Sequence, residues 1–316
     1  EERTSYDVML SRNNKDLGKV SFTLEMGAQD WITRADAIED KKIQMDCYKK
    51  AVDINPDSDE AHIALGRLYE SENNLKMAIA EYTSVTRIKP DNIAALKSLL
   101  GLYKKSGDRK SVLDMYEKLI KADSGAAEEY AYQAGMLAEK LGSGDRAMSF
   151  YRDVLEKNRG HIDARQRLIK LYEKDKEWNR VLGNVTVLIE YDAKNANLYL
   201  YQSDIYLKAN NISAALDAAE KAQKLKPKDS SIYLQLAVLA EKAQNDDKAI
   251  ENYKKALQLN AKNATACNNL GLLVEKKGNT KEAIGYYEKA VSLDPKDPDF
   301  YRNLGDAYEK SGNLKK

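Results

Sequence analysis

Chemistry that depends on side-chain type has few places to reside in this chain. There are two histidines and two cysteines among 316 residues. His62 shares an apolar helical stripe with Leu65, Gly66 and Tyr69, so it reads as a packed ring and not as a general base. His161 stands where a turn residue is expected. Cys47 and Cys267 are far apart and lie in apolar helical registers. They read as buried thiols used as small hydrophobes, and no disulfide is expected, since that bond needs Cα atoms within about 7 Å. No GxGxxG after a strand, GxxxxGK(S/T), HExxH, CxxC or GxSxG occurs. The chain is therefore read as not an enzyme, with no catalytic residue, no cofactor and no metal site.

What does recur is a row of amides. Gln235, Asn269 and Asn303 stand 34 residues apart. An amide donates and accepts at once, which suits a peptide bond. Each such bond contributes about 0.5–1.5 kcal/mol net, so three alone give weak binding. Leu200, Tyr201 and Leu234, with Val238 and Leu272 one turn further, make an apolar patch beside the amides. The column of Leu200 and Leu234 continues to Asn268 and Arg302.

The same period organises nearly all of the chain. From Tyr48, steps of 34 reach Tyr82 and Tyr116, then Tyr151 after one extra residue, then Val185, Ala219, Tyr253 and Tyr287. A second column starts at Pro56 and holds four of the five prolines, the others being Pro90, Pro227 and Pro295. A third holds Ala78, Val112, Ala147, Val181, Ala215, Ala249 and Ala283. A fourth reads Gly66, Leu100, Ala134, Ile169, Ser203, Ala237, Gly271 and Gly305. The extra residue is assigned to the Leu141–Asp145 stretch, where an insertion costs little. Each period contains two amphipathic helices. Cys267, Leu270, Gly271 and Val274 mark one, and Ala283, Tyr286, Tyr287 and Ala290 the other. Gly278-Asn279 supplies a left-handed turn between them, and Asp294-Pro295 closes the unit. Ser58, Asn92, Asn195, Asp229, Asn263 and Asp297 each precede a first helix as caps, and His161 falls in that column.

With these columns the chain resembles the tetratricopeptide repeats (TPR) over residues 28–316. The resemblance implies an all-α, right-handed α-solenoid of helix-turn-helix repeats. Seven full repeats begin near Asp59, Ile93, Ala127, Ile162, Ala196, Ser230 and Ala264, and a half repeat begins at 298. A divergent repeat precedes them, with a stripe of Trp31, Ala35 and Ile38 and a turn about three residues short before Tyr48. In this family the first helix of each repeat lines a concave groove. That implies a peptide-binding groove of Leu200, Tyr201, Leu234, Gln235, Val238, Asn268, Asn269, Leu272, Arg302 and Asn303. A clamp for a chaperone C-terminus is incomplete: Lys97 and Arg167 fall in its basic columns, but Gly101 and Tyr132 occupy its asparagine positions.

Residues 1–27 form a separate β-like appendage. Tyr6, Val8 and Leu10, then Val20, Phe22, Leu24 and Met26, alternate with other residues, and Asn13-Asn14 and Leu17-Gly18 are turn chemistry. Packing of this hairpin on the first helices is expected; the alternative is an edge that pairs with another chain. The last helix stripe, Tyr301, Leu304, Gly305 and Tyr308, has no partner helix, which suggests a fragment of a longer protein. The chain opens with Glu1, so an upstream segment is expected to have been removed. Lys and Arg number 51 against 50 Asp and Glu, so no basic field points to nucleic acid. No stretch is apolar enough to span a bilayer. The function expected is a non-catalytic protein–protein interaction scaffold with a protein or peptide partner. The alternatives are a self-assembling homo-oligomer, or a regulatory module of a larger protein or enzyme. Absence of a disulfide favours a cytoplasmic place over an exported or membrane-tethered periplasmic one.

Overall fold

The structure, a computed structural model, describes residues 4–12 and 15–312. The chain divides into two compact units, residues 1–159 and 160–316.

The first unit opens with a hairpin. Strands β1 (Thr4–Arg12) and β2 (Lys15–Leu24) pair antiparallel, with Tyr6 opposite Phe22 and Val8 opposite Val20. Leu17-Gly18 is not a turn: it lies inside β2, with Gly18 opposite Leu10. The register slips between Leu10 and Ser11, and Gly18 has φ +117°, a bulge that a Cβ would strain. Asn13-Asn14 lies outside the described residues. Among the described residues no helix packs extensively on the ribbon, and Val20 is 48% exposed. The expected packing on the first helices is not seen among them.

Eight helices follow, in four antiparallel pairs: α1 (Ala28–Asp36) with α2 (Lys41–Ile54), α3 (Asp59–Ser71) with α4 (Leu75–Ile88), α5 (Ile93–Ser106) with α6 (Arg109–Ala122), and α7 (Ala127–Lys140) with α8 (Gly144–Lys157). Ser58 and Asn92 accept the backbone N–H of Ala61 and Ala95, as caps should. Tyrosines of the second helices are buried, and glycine makes room for them. A Cβ on Gly66 would stand 2.8 Å from the Tyr82 ring. The α1–α2 pair keeps ordinary spacing: Tyr48 donates to Asp36, twelve residues earlier, as Tyr82 does to Glu70. The stripe of α1 is therefore Trp31, Ile32 and Ala35, and Ile38 lies beyond the helix. The turn before Tyr48 is not shortened.

The extra residue also sits elsewhere than expected. Gly135, not Ala134, lies under Tyr151, where a Cβ would come within 2.5 Å of the ring. The added residue is thus absorbed before Gly135, and the columns through α7 slide by one. The reason is steric: Gly135 leaves the space that the Tyr151 ring occupies here. Ala126, which opens α7, makes no side-chain cap.

The second unit repeats the plan in nine helices: α9 (Ile162–Lys174), α10 (Trp178–Tyr191), α11 (Ala196–Lys208), α12 (Ile212–Leu225), α13 (Ser230–Lys242), α14 (Asp246–Leu259), α15 (Ala264–Lys276), α16 (Thr280–Leu293) and α17 (Pro298–Lys310). His161 caps α9 through Nδ1, 3.2 Å from the Ala164 amide. Gly271 again lies under a tyrosine, Tyr287, at a Cβ-to-ring distance of 2.6 Å. In α9 and α10 the bulk is exchanged, with Ile169 and Val185 both buried in those columns.

Each unit shows one backbone feature at the period. Asn73, Gly107 and Gly142 in the first unit are left-handed and end the first helix of a pair. Lys176, Asn210, Gln244 and Gly278 do the same in the second, and Gly312 follows α17 in the same conformation. Among the described residues seventeen helices and two strands make up the fold, an all-α solenoid of helical hairpins carrying a short β-ribbon.

Candidate functional site

The ten residues expected to line a groove all lie on first helices of the second unit. Leu200 and Tyr201 sit on α11, and Leu234, Gln235 and Val238 on α13. All five are half-buried. Leu234 and Val238 pack against the core around Tyr253 and Tyr287, and Leu200 against that around Ile232. Leu272 on α15 is 43% exposed and is the most open apolar member. Arg302 on α17 is exposed and pairs with Asp299 at 2.9 Å. Exposed pairs of this kind add little stability.

The amides are held from within. Gln235 Nε2 donates to Asp204 on α11. Asn269 Nδ2 donates to the Tyr253 hydroxyl at 3.2 Å, which itself donates to Glu241 at 3.2 Å. Asn303 Nδ2 donates to Asn268 Oδ1 at 2.8 Å, and Asn268 Nδ2 reaches Asn269 Oδ1 at 3.5 Å. Asn268 is only 7% exposed. It ties α15 to α17 and does not present itself as open lining. An amide has two donors and two lone pairs, so Asn269 and Asn303 keep hydrogen-bonding capacity beyond these contacts.

Carboxylates and phenols shape the electrostatics beside this face. Burial, with a hydrogen bond to Glu173, pushes the Tyr201 phenol up. Burial also raises Glu241, although the Tyr253 hydroxyl opposes it. Lys310 pairs with Glu275 at 2.8 Å and Lys276 with Asp246 at 2.6 Å. Asp204 and Glu241 were not picked from the sequence, and Tyr253 was picked only as a column residue. The Tyr253–Glu241 contact had a signal: an acid twelve residues before a column tyrosine. Asp204 had none, because Gln235 reaches it between repeats.

Among the described residues no group of three or more His, Cys, Asp or Glu side chains is placed to hold a metal ion. No described helix is long and apolar enough to cross a membrane.

Two family models match the chain. One, described as TPR repeat, matches residues 242–278 and 276–312, and the other, Tetratricopeptide repeat, matches residues 46–103. The chain is 22% identical over 175 residues to the TPR repeat-containing protein YpiA of Bacillus subtilis (strain 168), covering 55% of this chain and 41% of that protein. It is 24% identical over 148 residues to General transcription factor 3C polypeptide 3 of Homo sapiens, covering 43% of this chain and 16% of that protein. The chain thus spans less than half the length of these curated relatives. Among solved structures, the C-terminal part of a TPR repeat-containing protein from Cytophaga hutchinsonii superposes with a TM-score of 0.54 at 14% identity. That match covers 76% of this chain and 98% of the other, and the fold is what they share.

Proposed function

Because the chain belongs to the tetratricopeptide-repeat family, we propose that it is a non-catalytic scaffold that binds a peptide segment of a partner protein along α11, α13, α15 and α17. Leu272 carries this reading. A large apolar side chain stands 43% exposed beside Asn269, while its column neighbour Val238 is half-buried. Exposed apolar area rimmed by polar groups favours a protein ligand. Asn269 and Asn303 are fixed by internal hydrogen bonds, and fixed donors lose less entropy when a ligand arrives. The peptide would lay an apolar side chain on Leu272 and Val238 and meet the remaining amide capacity with its backbone.

Selection from a displayed peptide library tests this. Peptides enriched by the unaltered chain should lose about tenfold or more in affinity when Asn269 and Asn303 are both changed to Ala, with helicity unchanged. Equal affinity in the double variant would remove the peptide from this face.

A further inference from the structure

One contact recurs within the helical pairs. A tyrosine of the second helix donates its hydroxyl to a carboxylate twelve residues earlier: Tyr48 to Asp36, Tyr82 to Glu70 at 3.5 Å, Tyr253 to Glu241 at 3.2 Å and Tyr287 to Glu275 at 2.8 Å. Not every pair makes this contact: Tyr151 does not donate to Glu139, and at Tyr116, also in the first unit, the acid itself is missing. The residue twelve before it is Lys104, whose ammonium lies 5.1 Å from the ring centroid. Tyr116 is 5% exposed, and no carboxylate stands at the place twelve residues before it. A pocket of about 390 Å³ opens against it, lined also by Tyr103, Arg109, Met136 and Lys140. No carboxylate lines this pocket. Lys104, Arg109 and Lys140 form no ion pair among the described residues, whereas Lys276 and Lys310, in the Lys140 column, are both paired with acids.

The substitution removes the internal acceptor that the other pairs supply. Tyr116 lines the pocket with a hydroxyl that can donate, and three cations around one notch repel each other. An anion that enters relieves that repulsion and accepts the hydroxyl. We propose that this pocket binds a carboxylate side chain of an acidic peptide segment. The incoming carboxylate takes the place that Glu70, Glu241 and Glu275 hold in the other pairs. It accepts the Tyr116 hydroxyl proton in a hydrogen bond and is neutralised by Lys104, Arg109 and Lys140. The methylenes next to it lie on Tyr103 and Met136. A carboxylate is the chemistry chosen because this same fold already seats one against this tyrosine position elsewhere. The site is separate from the face on the second unit and stands without it.

The test uses the whole chain and a dye-labelled hexaglutamate peptide, read by fluorescence anisotropy at about 150 mM salt, where non-specific attraction is screened. Hexaglutamate should bind and hexaglutamine should not. Tyr116→Phe should weaken binding about tenfold with the melting temperature retained. Lys104→Glu restores the internal carboxylate, so it should abolish binding and raise the melting temperature. Inorganic phosphate should compete only in large excess. Equal binding of hexaglutamate to the Lys104→Glu variant, or equal binding of hexaglutamine, would overturn the site. Phosphate binding as tightly as the peptide would overturn the peptide as its ligand.

Discussion

Gln244 ends α13 with φ 57°, in the left-handed region that its Cβ disfavours. Gly278, one period on, takes the same place without that penalty. Gln244→Gly should therefore stabilise the fold by about 0.5–1 kcal/mol, seen as a higher denaturation midpoint at unchanged slope. Gly278 announced its turn in the sequence, since glycine prefers this conformation. Lys176 and Gln244 did not, because neither side chain carries such a preference; their neighbours impose it. The same limit applied to the amides. The spacing of Gln235, Asn269 and Asn303 was readable, but which atoms they bond inside the protein depends on rotamers that no spacing encodes.

Between elements, the α3–α4 pair holds a buried charge. His62 Nδ1 is 2.6 Å from Glu81 and Nε2 is 3.1 Å from the Pro56 carbonyl. Both ring nitrogens face acceptors, so the imidazolium is the form that satisfies both. The hydrogen bond to Glu81 raises its pKa above the ordinary value of 6.5, against burial and the charge of Arg87. The stabilisation is complete below about pH 6.5 and is lost as pH rises through the raised folded-state value. Thermal midpoints measured across that interval should fall with pH in the unaltered chain and flatten in Glu81→Gln. A midpoint that rises with pH would contradict the charge assignment. The stripe showed that His62 was packed; its partner, nineteen residues on, was invisible because one ion pair has no periodicity. The slip in α7 was hidden for a related reason. Ala134 and Gly135 are both small, and only the Tyr151 ring decides between them.

At the scale of the whole molecule, the period carried nearly all of the fold, because each hairpin buries its apolar face only against its neighbours. Damage should stay equally local. Gly271→Leu pushes a side chain into the Tyr287 ring and should cost on the order of 1–3 kcal/mol. Hydrogen exchange should quicken in α14 to α17 while α3 to α6 keep their protection. The β-ribbon was foreseen as strands from its alternation, but the exposure of Val20 was not, since alternation says that a face is apolar and not what covers it. The left-handed positions have a further consequence. Asn210 and Gln244 share φ of 59° and 57°, and each is followed by an asparagine that caps the next helix, Asn211 and Asn245. Splicing Asn210 directly to Asn245 would excise residues 211–244 and recreate the same junction, with Ser203 set against Tyr253 as small residue against ring. Length is thus a modular quantity in this chain, adjustable by whole repeats at seams that already exist, much as links are taken from a watch strap.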